Sequence, residues 1–203
     1  MYKVYGDINS GNCYKVKLTL NHLGIEHDWV HIDILKGESR NAQFLALNPN
    51  GRIPVLVDAD GRTLCESNAI VCFLADGTSL WPADRFERAR VLQWQFFEQY
   101  SHEPYIATSR YIVRYLNSPI DRREELESKR AGGIAALRVM ESHLQGRDYF
   151  VGDGFTVADI SLYAYTHCAA DGGFTLGEFA NVSGWLDRVA GLAGHVTMEQ
   201  FAP

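Results

Sequence analysis

The sequence predicts an α/β domain over residues 1–76, a linker over 77–85 and an all-helical domain over 86–203. Three observations carry that reading. Strand and helix signals alternate as far as Ala75. Beyond Phe86 the strand signals vanish and apolar residues recur at helical spacing. Between the two lies DGTSLWPADR, Asp76 to Arg85, rich in turn formers and carrying Pro82.

In chain order, KVYGDI reads as a strand, a helix follows from about Asn12 to Leu23 with Gly24 closing it, and EHDWVHIDI reads as a second strand. This is a βαβ unit. A helical stretch near Arg40 to Leu47 leads to IPVLVD and to DADGRTL, where Asp60-Gly61 supplies a hairpin turn. Ser67 to Ala75 completes the half as a helix. The order βαβαββα gives a small sheet whose last two strands are antiparallel, which is a thioredoxin-like arrangement. In the second half ARVLQWQFFEQY, SRYIVRYL, GGIAALRVMESHL and ISLYAYTHCAA all carry helical periodicity, so a helical bundle is expected.

Composition narrows the function classes. The 203 residues are 46% hydrophobic and 22% charged with a net charge of -6, the opposite of a nucleic-acid-binding surface. Met1 leads straight into a strand pattern, and no run of about 18 or more apolar residues follows, so neither a leader nor a membrane span is expected. The expected location is the cytoplasm. The four cysteines, Cys13, Cys65, Cys72 and Cys168, form no ligand pattern and are expected as reduced thiols. His22, His27 and His31 span a helix end and a strand without ligand spacing, so no metal is expected.

Four stretches could carry chemistry, and each has a plainer reading beside it. In NSGNCYKVKL, Ser10 and Cys13 have the spacing of a redox C-x-x-C at the head of a helix, but the first position is a hydroxyl. Ser10 and the backbone NH groups near Gly11 and Asn12 face an anion-favouring position, although Ser10 could equally be a helix cap. Cys13, in the first turn, reads as a small core residue, and Tyr5 as a packing residue of the first strand. In NPNGRIPVL, Pro54 marks either an edge or a cis bond, and a cis bond would offer the backbone of Ile53 to an extended peptide. The plainer reading is a turn. In CESNAI, Ser67 is either a helix N-cap or, with Glu66, the holder of a carboxylate. The fourth, Thr156-x-x-Asp159, reads as a capping box and is assigned to folding.

Four blocks in register, SGNCYKV, NPNGRIPVL, CESNAI and FTVADISLY, resemble the cytosolic glutathione transferase superfamily, in a bacterial serine-type or S/T-x-N-type form. The resemblance covers almost the whole chain. It implies a transferase that activates the thiol of bound glutathione, a co-substrate, for attack on a small electrophile. Ser10 matches the hydroxyl donor and Asn12 a second donor to the sulfur, with Ser10 placed ahead. Ile53 is implied to pair by backbone with the cysteinyl unit, shaped by Pro54, and Glu66 and Ser67 to hold the γ-glutamyl end. Arg52 or Arg40 stands in for the usual partner of the glycine carboxylate, which relatives place near Ser39 and Gly51. An acceptor pocket between the loop Ile8 to Gly11 and the helical half is implied to draw on Tyr105, Arg110 and Tyr111, for which helix packing is an equal reading. A homodimer is implied as well, and Trp94, Phe96, Phe97 and Tyr100 suit its interface. Detoxification is the implied role. The alternatives are glutathione-dependent disulfide or peroxide reduction, and a non-catalytic regulatory binding protein on the same scaffold.

Overall fold

The computed structural model describes residues 1–200. The chain divides into two compact units, Met1–Thr78 joined by the C-terminal segment from Ala193, and Ser79–Leu192. The sequence places that last segment with the helical half; the structure groups it with the first unit. Its attachment there is concrete. Tyr14 Oη donates to the Val196 carbonyl at 2.6 Å, Asn21 Nδ2 donates to the Gly194 carbonyl at 3.0 Å, and Lys17 Nζ donates to the Gln200 carbonyl. Gly194, at φ 85°, turns closely over His22, where a Cβ would lie 3.1 Å from the His22 Cα.

The first unit runs β1 (Tyr2–Gly6), α1 (Gly11–His22), β2 (His27–His31), a 3-10 turn (Glu38–Arg40), α2 (Ala42–Leu47), β3 (Val55–Val57), β4 (Thr63–Cys65) and α3 (Ser67–Ala75). The sheet order is β2-β1-β3-β4, with β1 parallel to β2 and antiparallel to β3, and β3 antiparallel to β4. This is the thioredoxin-like arrangement read from the sequence. Strand alternation divides the residues between the two faces. Val55 packs with Ile32 and Phe44, and Tyr5, Val30 and Leu47 close over them, so α2 covers one face. Val4 and Leu56, paired across β1 and β3, are buried on the other, together with Val16 and Leu20 of α1 and Ile70 and Val71 of α3. Tyr5 is thus a packing residue.

The second unit is helical throughout: α4 (Arg85–Phe97), α5 (Glu103–Arg110), α6 (Arg123–Leu144), α7 (Val157–Thr166) and α8 (Ala180–Ala190). Two π-helical turns, Glu98–His102 and Tyr111–Tyr115, flank α5 and make 85–115 one nearly continuous helical run. Asp84 starts it by accepting from the backbone NH groups of Phe86 and Glu87, both at 2.9 Å. The core of this unit is a ring cluster. Trp94, Phe150 and Trp185 meet edge to face, with centroids 4.7 Å apart for the first pair and 5.1 Å for the second. Trp94 therefore belongs to the core and not to an exposed stripe, because it points inward from α4 while Phe96 and Tyr100 point outward. The capping box at α7 forms as the sequence predicts, with Thr156 and Asp159 closing it reciprocally. No helix among the described residues is long and apolar enough to cross a membrane.

Candidate active site

The loop after β1 is drawn tight by Asp7, whose carboxylate accepts from the Asn9 backbone NH at 2.9 Å while its carbonyl accepts from the Ser10 NH at 3.1 Å. That places Ser10 at the N-cap of α1 in an extended conformation, and its Oγ accepts from the Cys13 NH at 3.4 Å. The cap and the donor roles of Ser10 are compatible. Capping uses a lone pair of the hydroxyl and leaves its O–H to donate elsewhere.

Cys13 is fully buried, and a Cβ placed on Gly6 would lie 2.7 Å from its sulfur. Burial pushes its thiol up to about 12, against weaker lowering by the Ser10 contact. A thiol so placed stays protonated at neutral pH and acts as a small core residue.

Asn12 and Ser67 come together from opposite ends of the first unit's sequence. The Ser67 hydroxyl donates to Asn12 Oδ1 at 3.1 Å, joining the start of α3 to the start of α1. The same oxygen accepts from Lys15 Nζ at 2.8 Å. Ser67 is buried and is the first residue inside α3, not its N-cap; Glu66 holds the cap position with no side-chain cap bond. Glu66 is exposed and adopts φ 68°, ψ 114°, a region that costs a non-glycine residue about 1–3 kcal/mol. Such strain persists where the surroundings over-determine it, and here it turns the chain sharply from β4 into α3.

The Ile53-Pro54 bond is cis, and Pro54 enters β3, a central strand and not an edge. Ile53 is half-buried beside the Phe44 cluster, and Arg52 is exposed. Asn48 braces this loop by donating from Nδ2 to the Arg52 carbonyl at 2.7 Å. Arg40 reaches the same loop, donating from Nη1 to the Asn50 carbonyl at 3.1 Å. Gly51 is required there: at φ 63°, a Cβ would sit 2.6 Å from Arg40 Nη1.

In the helical unit, Arg110 is 4% exposed and bound to Asp171, with Nε 3.1 Å from the carboxylate oxygen. Tyr105 packs against α6, where a Cβ on Gly132 would come within 2.3 Å of its ring, and Tyr111 packs with Tyr115 at 5.3 Å between centroids. These contacts are packing duties. The sequence reading passed over Lys15 and the meeting of Asn12 with Ser67. The signal for Lys15 was present in its spacing, one turn beyond Asn12, which puts both on one side of α1.

Residues 9–76 match the family model for the glutathione S-transferase N-terminal domain, and residues 93–193 match that for the C-terminal domain. The chain belongs to the glutathione S-transferase family. A solved glutathione S-transferase from Pseudomonas fluorescens Pf-5 is 52% identical, with a TM-score of 0.96 over 98% of this chain and 99% of that one. The glutathione transferase URE2P6 from Phanerochaete chrysosporium, solved with oxidized glutathione, is 27% identical with a TM-score of 0.85 over 95% of this chain and 92% of its own. The protein URE2 of Eremothecium gossypii is 28% identical over 93% of this chain, which spans 64% of that relative's length.

Proposed function

We propose that this glutathione S-transferase family member binds glutathione in its first unit and activates the thiol for attack on an electrophilic small molecule. The observation that carries the reading is the junction of Asn12 with Ser67, which gathers a candidate sulfur donor and a candidate γ-glutamyl holder within one hydrogen bond, 3.1 Å. The complex of the fungal relative URE2P6 with oxidized glutathione supports the ligand.

In this mechanism the Ile53 backbone pairs with the cysteinyl unit, Glu66 and Ser67 take the γ-glutamyl end, and Arg52 or Arg40 takes the glycine carboxylate. A free thiol titrates near about 8.5, and a helix N-terminus with a donor to the sulfur brings it to roughly 3.5–7.5. Ser10 and Asn12 are the donors, both at the head of α1. The thiolate forms a bond to the electrophilic carbon as the leaving group departs with its electron pair. The helical unit is assigned acceptor recognition, with Tyr105 and Tyr111 as its aromatic contributors and Arg110 committed to Asp171. The cytoplasm is the chain's proposed location.

Titration calorimetry with glutathione, followed by turnover assays with a chloroaromatic and a mixed disulfide, tests the assignment. Turnover of the mixed disulfide alone would favour the reductase reading, which the oxidized-glutathione complex of the fungal relative supports. Binding without turnover would favour a non-catalytic role. Ser67→Ala is expected to weaken glutathione binding by about 1.5–3 kcal/mol, the value of a hydrogen bond to a charged group. Unchanged affinity would remove Ser67 from the site.

A homodimer is proposed through α4. Leu92 and Phe96 of α4 and Tyr100 of the π-helical turn that continues it recur at four-residue spacing on the outer side and are 40%, 70% and 86% exposed, an apolar stripe that a second copy would cover. Sedimentation at micromolar concentration is expected to give a dimer mass, and Phe96→Glu with Tyr100→Glu to give a monomer. A monomeric wild type would refute this.

A further inference from the structure

We propose that Lys15 is a positioning residue for the glutathione thiol: its ammonium holds the Asn12 amide so that the nitrogen edge faces the sulfur when the γ-glutamyl carboxylate takes the Ser67 hydroxyl. The proposal rests on the reading of this site as a glutathione site.

The contact with Lys15 decides the orientation of Asn12. An ammonium can only donate, so the amide edge 2.8 Å from Lys15 Nζ is the oxygen, and the NH2 group lies on the opposite edge. The Ser67 hydroxyl donates to that same oxygen at 3.1 Å. A carboxylate arriving at Ser67 competes for this hydroxyl proton, because an ionised acceptor forms the stronger bond. Lys15 would still hold the amide oxygen of Asn12 and keep the amide from turning over.

The Lys15 side chain is fully buried, in the second turn of α1, close to the helix end that is already positive. Burying a cation there is unfavourable on both counts. Packing alone would be served by an apolar side chain, as it is at Val16, Leu18 and Leu20 of the same helix. The ammonium also adds positive potential near the head of α1, which favours an anionic sulfur in the same sense as the oriented amide.

Wild type and Lys15→Met are to be compared by ultraviolet titration of bound glutathione and by calorimetry with S-methylglutathione, which lacks the ionisable thiol. The expected result is a bound-thiol pKa raised by about one unit in Lys15→Met, with little change in S-methylglutathione affinity. At a pH below the thiol pKa, kcat falls by about tenfold with KM little changed. A folded Lys15→Met with an unshifted thiol pKa would overturn the proposal. Should Lys15→Met not fold, nitrogen-15 lysine NMR of the wild type decides: the Lys15 Nζ resonance is expected to follow the thiol titration with glutathione and to stay flat with S-methylglutathione. A resonance flat with both overturns the proposal. A wild type that gives no heat with either ligand overturns the glutathione reading itself, and this inference with it.

Discussion

Asp159→Ala is expected to destabilise the protein by about 3–5 kcal/mol, the cost of removing one side of a buried charged network. Asp159 is fully buried and gathers four donors. Its Oδ1 accepts from the Phe150 backbone NH at 3.1 Å and from Trp185 Nε1 at 3.0 Å; its Oδ2 accepts from the Thr156 NH at 2.9 Å and the Thr156 hydroxyl at 3.1 Å. Alanine would take the acceptor from all four of these buried donors, the Phe150 NH and the Trp185 indole beside the second unit's ring cluster and the NH and hydroxyl of Thr156 at the start of α7. Asparagine is no remedy, because its NH2 would confront donors on one edge.

The pH dependence of this carboxylate has an uncommon sign. Burial outweighs its hydrogen bonds and raises it from the usual value of 3.8 to about 6. The folded state therefore holds this proton more tightly than the unfolded one, so its contribution to stability is greatest below about pH 4 and declines as pH rises through 6. Two units correspond to about 3 kcal/mol. Urea denaturation at pH 7 and pH 5 is expected to show wild type gaining on Asp159→Asn as pH falls. Equal slopes for the two would show that Asp159 does not titrate in this range.

The capping box explains why much of the second unit was legible. Thr156-x-x-Asp159 ahead of ISLYAY is a local pattern, and local patterns survive folding because their partners are three residues apart. What the sequence could not show is that Asp159 also ties Phe150 and Trp185, nine and twenty-six residues away. The first unit divides in the same manner. Alternation and the Asp60-Gly61 turn fixed the strands and the β3–β4 hairpin, since both signals lie within a few residues. The sharing of Asn12 Oδ1 by Lys15 and Ser67 depends on α1 and α3 lying side by side, a consequence of the sheet order that no spacing records. Trp94 shows a further limit. Its helix is aromatic on more than one side, so richness alone could not separate the residues facing the ring cluster from Phe96 and Tyr100 facing out.

The division of work between Ser10 and Asn12 is the remaining test of the chemistry. Sequence matching places Ser10 first. The structure adds an argument for Asn12, because its amide is held at the oxygen edge by Lys15 as well as by Ser67 and so stays oriented when glutathione takes the Ser67 hydroxyl, whereas the Ser10 hydroxyl engages the Cys13 NH only at 3.4 Å and can rotate. A donor already fixed in direction loses less freedom on meeting the thiolate. We expect Asn12→Ala to raise the bound-thiol pKa by about one to two units and Ser10→Ala by less than one, each unit being about 1.4 kcal/mol. Cys13→Ser is expected to keep most activity and to lose stability, because it puts a hydroxyl where burial admits no water. Ultraviolet titration of bound glutathione across pH, with turnover measured on the same three variants, gives the answer. A larger shift for Ser10→Ala would return the principal role to the serine. If neither variant moved the pKa and Cys13→Ser abolished turnover, the nucleophile would be Cys13, a thiol that burial holds at about 12 in the free protein. That outcome would require the first turn of α1 to open before reaction, since Cys13 is fully buried against Gly6.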